Sequence, residues 1–139
     1  MAALSTLLEN AIYTKAVANS TLWNSVSGRM KHGRPIVGWP FPYILYSFPN
    51  LPQTNVFQSS TPVAAAVTIY FDIFSANAFY AAEAGTIAGY IETVFDGTSL
   101  TMSGYQGTVI KQTNDLPMQE EETGLWHAQL EYKGMACPS

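Results

Sequence analysis

The sequence predicts an α+β sandwich, an antiparallel or mixed sheet of about four to five strands with two helices packed on one face. Three observations predict it. Apolar residues recur at helical spacing near the N-terminus and again across residues 76–95. Two other segments, "VAAAVTIYFDIFS" and "LWHAQLEYKG", alternate with a period of two. Glycines, prolines and small polar residues punctuate the stretches between them.

The first helix rests on Leu4, Leu7, Leu8, Ala11 and Ile12, which places it over residues 3–18. Leu22, Trp23 and Val26 suggest a last helical turn that ends at Gly28, with Trp23 as a lid on the core. "RMKHGRP" then gathers Arg29, Lys31 and Arg34 around His32, and its glycine and proline predict a solvated loop. The apolar "GWPFP" follows, with prolines that resist helix, and leads into a strand at "YILYSF".

"PNLPQTNVFQSSTP", residues 49–62, carries three prolines and no charge, yet includes Val56 and Phe57. Structureless loops of this length are uncommon in compact domains and are often functional. In the long strand at 63–75, Val63, Ala65, Val67, Ile69, Phe71 and Ile73 share one face. The second helix is expected at 76–95, with Ser75 as N-cap and Gly97 closing the far end. Its buried stripe is Tyr80, Ala84, Ile87, Ile91 and Val94, and Gly85 and Gly89 are expected to let it approach the sheet.

Two short strands, near 98–102 and 105–113, flank a turn at Ser103-Gly104. "DLPMQEEETG" reads as a polar, solvated loop holding Glu120, Glu121 and Glu122. In the last strand Trp126, Ala128, Leu130 and Tyr132 face one way; His127, Gln129, Glu131 and Lys133 face water. Residues 134–139 are expected to fray, which makes Cys137 an inert terminal thiol.

A chain of 139 residues makes one domain and buries a core without disulfides, and its single cysteine permits no internal one. The N-terminal run lacks the basic start of a signal peptide, and Glu9 interrupts it. No stretch reaches the roughly 20 apolar residues of a membrane span free of charges or breakers. Only 12% of residues are charged against 47% hydrophobic; ordinary domains carry about 25% charged. So few charges would leave a lone monomer with apolar surface in water, which points toward assembly. The net charge of −4 weighs against a general nucleic-acid grip.

Catalytic patterns are absent from the sequence: it has no nucleotide loop, HExxH, CxxC pair or GxSxG, and His32 and His127 stand apart. The expectation is therefore no catalytic residue, no metal ligand and no cofactor.

In order, the pieces resemble the tail-terminator or tail-completion (head-to-tail joining) proteins of long-tailed bacteriophages. The resemblance runs over residues 4–134. It rests on the N-terminal helix, "PFPYILY" before the first strand, the polar hairpin loop, "AVTIYFDIFSANAFYAAEAGTIAGYIETVF" and the closing "TGLWHAQLEYKG". It implies a non-enzymatic virion protein, assembled in the host cytoplasm. Such proteins form a homo-oligomeric, commonly hexameric, ring at the head-proximal end of the tail tube. The ring stops tube polymerisation and meets the head-completion or stopper protein, while DNA passes through the lumen without specific binding. Another neck protein, or a small oligomeric ligand-binding α+β domain, is the alternative.

Candidate contacts under this reading are Arg29, Lys31, Arg34, Val56, Phe57, Glu120, Glu121 and Glu122. Basic and acidic segments pairing across a subunit boundary would contribute only about 0–1 kcal/mol per exposed pair, setting register more than affinity. Deleting residues 53–59 is expected to abolish ring or tail attachment while circular dichroism stays that of the intact fold. Attachment that survives the deletion would sink this assignment.

Overall fold

The computed structural model describes residues 4–49, 65–76, 82–106, 108–115, 119–120 and 126–137. Among them the chain forms helices α1 (Leu4–Ala18), α2 (Ser20–Ser25) and α3 (Ala82–Phe95). The strands are β1 (Met30–His32), β2 (Tyr43–Ser47), β3 (Ala65–Ser75), β4 (Thr98–Leu100), β5 (Thr108–Asp115), β6 (Gln119–Glu120) and β7 (Trp126–Ala136). They make one sheet in the order β1-β2-β3-β7-β5-β4, with β6 alongside β7. It is mixed, because β1 runs parallel to β2 while every other pair is antiparallel.

The α+β class holds, but seven strands and three helices stand where about four to five strands and two helices are expected. Each extra element has a local cause. Asn19 takes extended backbone angles and its side chain accepts a hydrogen bond from Leu22 N at 2.9 Å, so α2 starts afresh rather than continuing α1. β1 lies within the segment expected to be a loop. Met30 is buried in the core and Lys31 points out, an alternation too short to register without its partner β2.

β3 and β7 are the spine, paired in register from Ala65↔Ala136 to Ser75↔Trp126. Val67, Ile69, Phe71 and Ile73 of β3 are buried, as are Ala128, Leu130 and Tyr132 of β7, all in one cluster with the helices. Phe71 is its hub. Its ring lies 4.9 Å from Phe95 of α3, 5.5 Å from Tyr132 and 6.2 Å from Tyr46 of β2, centroid to centroid. Leu8, Ile12 and Ala16 of α1, Leu22 of α2, and Ile87 and Ile91 of α3 close the core above the sheet.

Several expectations change in detail. Ser75 ends β3, is buried and donates to Glu83 Oε1 at 2.6 Å, while the start of the helix it is expected to cap lies outside the described residues. Residues 77–81, including Tyr80, lie outside the described residues. Gly89 faces open space, so it does not serve a close approach to the sheet. Residues 134–136 are not a frayed tail. They belong to β7, Ala136 is fully buried, and Cys137 O accepts from Gln106 N at 2.7 Å.

Close approach instead occurs at Gly134. It pairs with Ile110 of β5 and Val67 of β3, and a Cβ there would sit 2.6 Å from Val109 O. That oxygen is backbone and cannot rotate away. Gly134→Ala is expected to lower the unfolding free energy by about 1–3 kcal/mol, the usual cost of overpacking. Urea denaturation measures this, and an unchanged midpoint would show that β5 shifts freely.

Candidate assembly interface

With the helices on one side, the other face of the sheet has no layer over it among the described residues. Its side chains are the second parity of each strand: Tyr43 and Leu45 on β2, Tyr70, Asp72 and Phe74 on β3, His127, Gln129, Glu131 and Lys133 on β7. Most are half-buried. At one end an aromatic series crosses the strands. Phe74 stacks on His127 at 4.4 Å and meets Tyr43 in a tilted contact at 5.2 Å, and Tyr43 meets Phe41 and Trp39. Burial raises the Tyr43 hydroxyl above its ordinary value.

Beside this series, the Asp72 carboxylate is paired with His127 Nε2 at 2.8 Å and accepts from Gln129 Nε2 at 2.9 Å. Farther along, Glu131 accepts from Thr113 Oγ1 at 2.7 Å and from the Tyr70 hydroxyl. Those bonds, with Lys133 adding a smaller pull, hold the Glu131 carboxyl below its ordinary value. The same bond and the charge of Glu131 push Tyr70 up. These networks fasten three strands together from the water side and leave the carboxylates partnered.

The basic segment resolves into distinct roles. Arg29 Nε donates to Pro42 O at 3.1 Å, and Arg29 O accepts from Ile44 N, so this arginine ties the start of β1 to the start of β2. His32 stacks on Phe48 at 4.7 Å and lies 3.3 Å from Glu9 of α1, which pins the helix to the sheet margin. Tyr46 beneath it is raised well above the ordinary phenol range, by burial first and then by Glu9 and Tyr13. Of the three expected cations, Lys31 and Arg34 are exposed and Arg29 is half-buried. Beyond them the chain turns at Ile36 and Val37, which are 54% and 100% exposed.

Val56, Phe57, Glu121 and Glu122 lie outside the described residues. Glu120 sits on β6, paired with Trp126 at one end of β7. Sequence reasoning missed the Asp72–His127–Gln129 group and the Glu131 group; placing polar residues on one wet face was legible, but their cross-strand partners were not. On the helix side, α1 and β4 frame a groove of about 520 Å³ over Leu7, Ala11, Leu100 and Met102.

No group of three or more His, Cys, Asp or Glu among the described residues is placed to hold a metal ion. Among the same residues, no helix is long and apolar enough to cross a membrane.

No known family model matches the chain, and no curated protein does. A solved structure does. One chain in the virion of a native gene transfer agent (GTA) particle superimposes with a TM-score of 0.71, covering 96% of each chain at 15% sequence identity. The two chains share a fold. At that identity the likeness concerns architecture, and it extends from end to end of both.

Because its folded value is lowered, Glu131 contributes stability that is present above its unfolded value and lost as pH falls through the folded one. Glu131→Gln is expected to lower the melting temperature at neutral pH and to flatten its decline in acid. Thermal melts from neutral pH to pH about 2.5 check this; a parallel decline in both proteins would remove Glu131 from the account.

Proposed function

We propose that the chain is a structural protein of a phage-type virion, and more narrowly a tail terminator. In this reading it forms a ring, commonly of six copies, on the head-proximal end of the tail tube. The ring ends tube growth and offers a surface to the head-completion protein, with DNA passing through the lumen. The chain is then a structural component rather than an enzyme.

The observation that carries this reading is the end-to-end likeness to a chain of the gene transfer agent virion. The low charge content agrees with it, since much of a ring subunit's surface is covered by other protein. So does the sheet face that has no layer over it among the described residues, which has apolar and aromatic side chains at its surface. The acidic balance suits a channel along which duplex slides without sticking. Other neck proteins share these traits, so position in the particle separates them.

Native mass spectrometry over a range of concentrations, with negative-stain imaging of the same sample, is the test. A closed ring with a hole wide enough for duplex DNA is expected, and labelled protein is expected at the head-proximal end of purified tails. Label at the portal or along the tube would transfer the reading to a stopper or a tube subunit. A protein that binds no part of the tail would end it.

A further inference from the structure

Lys111 of β5 and Lys133 of β7 are cross-strand partners. Both ammonium groups therefore leave the uncovered face of the sheet side by side. Like charges directly opposite each other destabilise a strand pair, and these are two of only six Lys and Arg in the chain. Glu131 offers Lys133 a contact of 3.8 Å, but that carboxylate is already held by Thr113 and Tyr70. Lys111 has no acidic partner among the described residues. The next position along the same face is apolar: Met135 beside Ala66, with Val109 on β5. Met135 is 52% exposed and Val109 53%.

A nucleic-acid phosphate would neutralise the lysines and leave the apolar strip in water. A protein segment with carboxylates beside apolar side chains satisfies both. The chain owns such a segment in "MQEEETGL", residues 118–125, which contains Glu120, Glu121 and Glu122 and no cation. Within one copy its described part, β6, is anchored at the far end of β7. Gln119 and Glu120 pair with His127 and Trp126, and Trp126 is seven residues from Lys133, roughly 23 Å along the strand. Building on the ring reading above, we propose that the Lys111–Lys133 face of one copy receives the acidic 118–125 segment of the next copy. Two different patches meet in this contact, so each copy offers both halves, as the head-to-tail contacts of a ring require.

The test compares wild type with Lys111→Glu/Lys133→Glu and with Glu121→Lys/Glu122→Lys, by sedimentation and native mass spectrometry at low salt. Each variant alone is expected to lose self-association at least tenfold. An equimolar mixture of the two is expected to recover it, because an acidic face then meets a basic segment and the reverse. Misfolded variants cannot produce that recovery. Unchanged assembly of the Lys→Glu variant overturns the contact and leaves the ring reading intact. So does a wild type that is monomeric alone yet caps tails. Unchanged assembly with lost retention of duplex DNA assigns the lysines to a polyanion and also overturns it. A wild type that neither self-associates nor caps tails ends both readings.

Discussion

The ladder between β3 and β7 is the constraint on which everything else hangs. It joins two eleven-residue strands that lie far apart in sequence; Asp72 and His127 across it are 55 positions apart. Closing so long a loop costs only slightly more than closing a short one, but the register must then be chosen correctly. Burial chooses it. A one-residue slip would carry Val67, Ile69, Phe71 and Ile73 to the wet face and bring Asp72 into the core. The water-side bonds reinforce that choice, because Asp72 meets His127 and Gln129 only in this register. β2, β5 and the helices then find their places against a surface already fixed.

That spine was legible in the sequence, for a physical reason. A strand buried on one face writes its own pattern with period two, and α3 writes its stripe with period 3.6. Ala84, Ile87, Ile91 and Val94 are buried where the spacing places them. What was not legible depends on partners. β1 has one buried apolar residue, Met30, and exists because Arg29 O and the β2 backbone hold it. The Lys111–Lys133 juxtaposition depends on how β5 lies against β7, including a register shift between Gln112 and Asn114. Nothing in either strand taken alone reports it.

The charges divide along the same line. Their scarcity was plain from composition, but their work was not. Arg29 stands out as a cation in the sequence and acts as a backbone clamp in the structure. Glu9, which interrupts an apolar run, fastens α1 to the sheet margin through His32. Asp72 and Glu131 look like ordinary wet-face residues and are instead the centres of two cross-strand networks. In a chain this poor in charge, several of the ionic groups are thus engaged by its own fold.

Where partners can attach follows from which surfaces the fold has already closed. The two sheet margins are β1 and β4, each only three residues long, and Lys31 stands exposed at the centre of β1. Short edges bearing lysine resist strand-to-strand joining, so Lys31 protects an edge at least as well as it could recruit a neighbour. The aromatic end of the uncovered face satisfies itself by stacking, and the carboxylates there are bonded. The opposite end, with paired lysines and half-exposed Met135 and Val109, is the part of that face whose chemistry is least complete. Specific association draws its energy from surface that is costly to leave in water, so a subunit that must be stable alone and adhesive in company keeps such surface small and localised. Here one such piece lies at one end of the sheet face, at Met135 and Val109, and another at the turn of Ile36 and Val37.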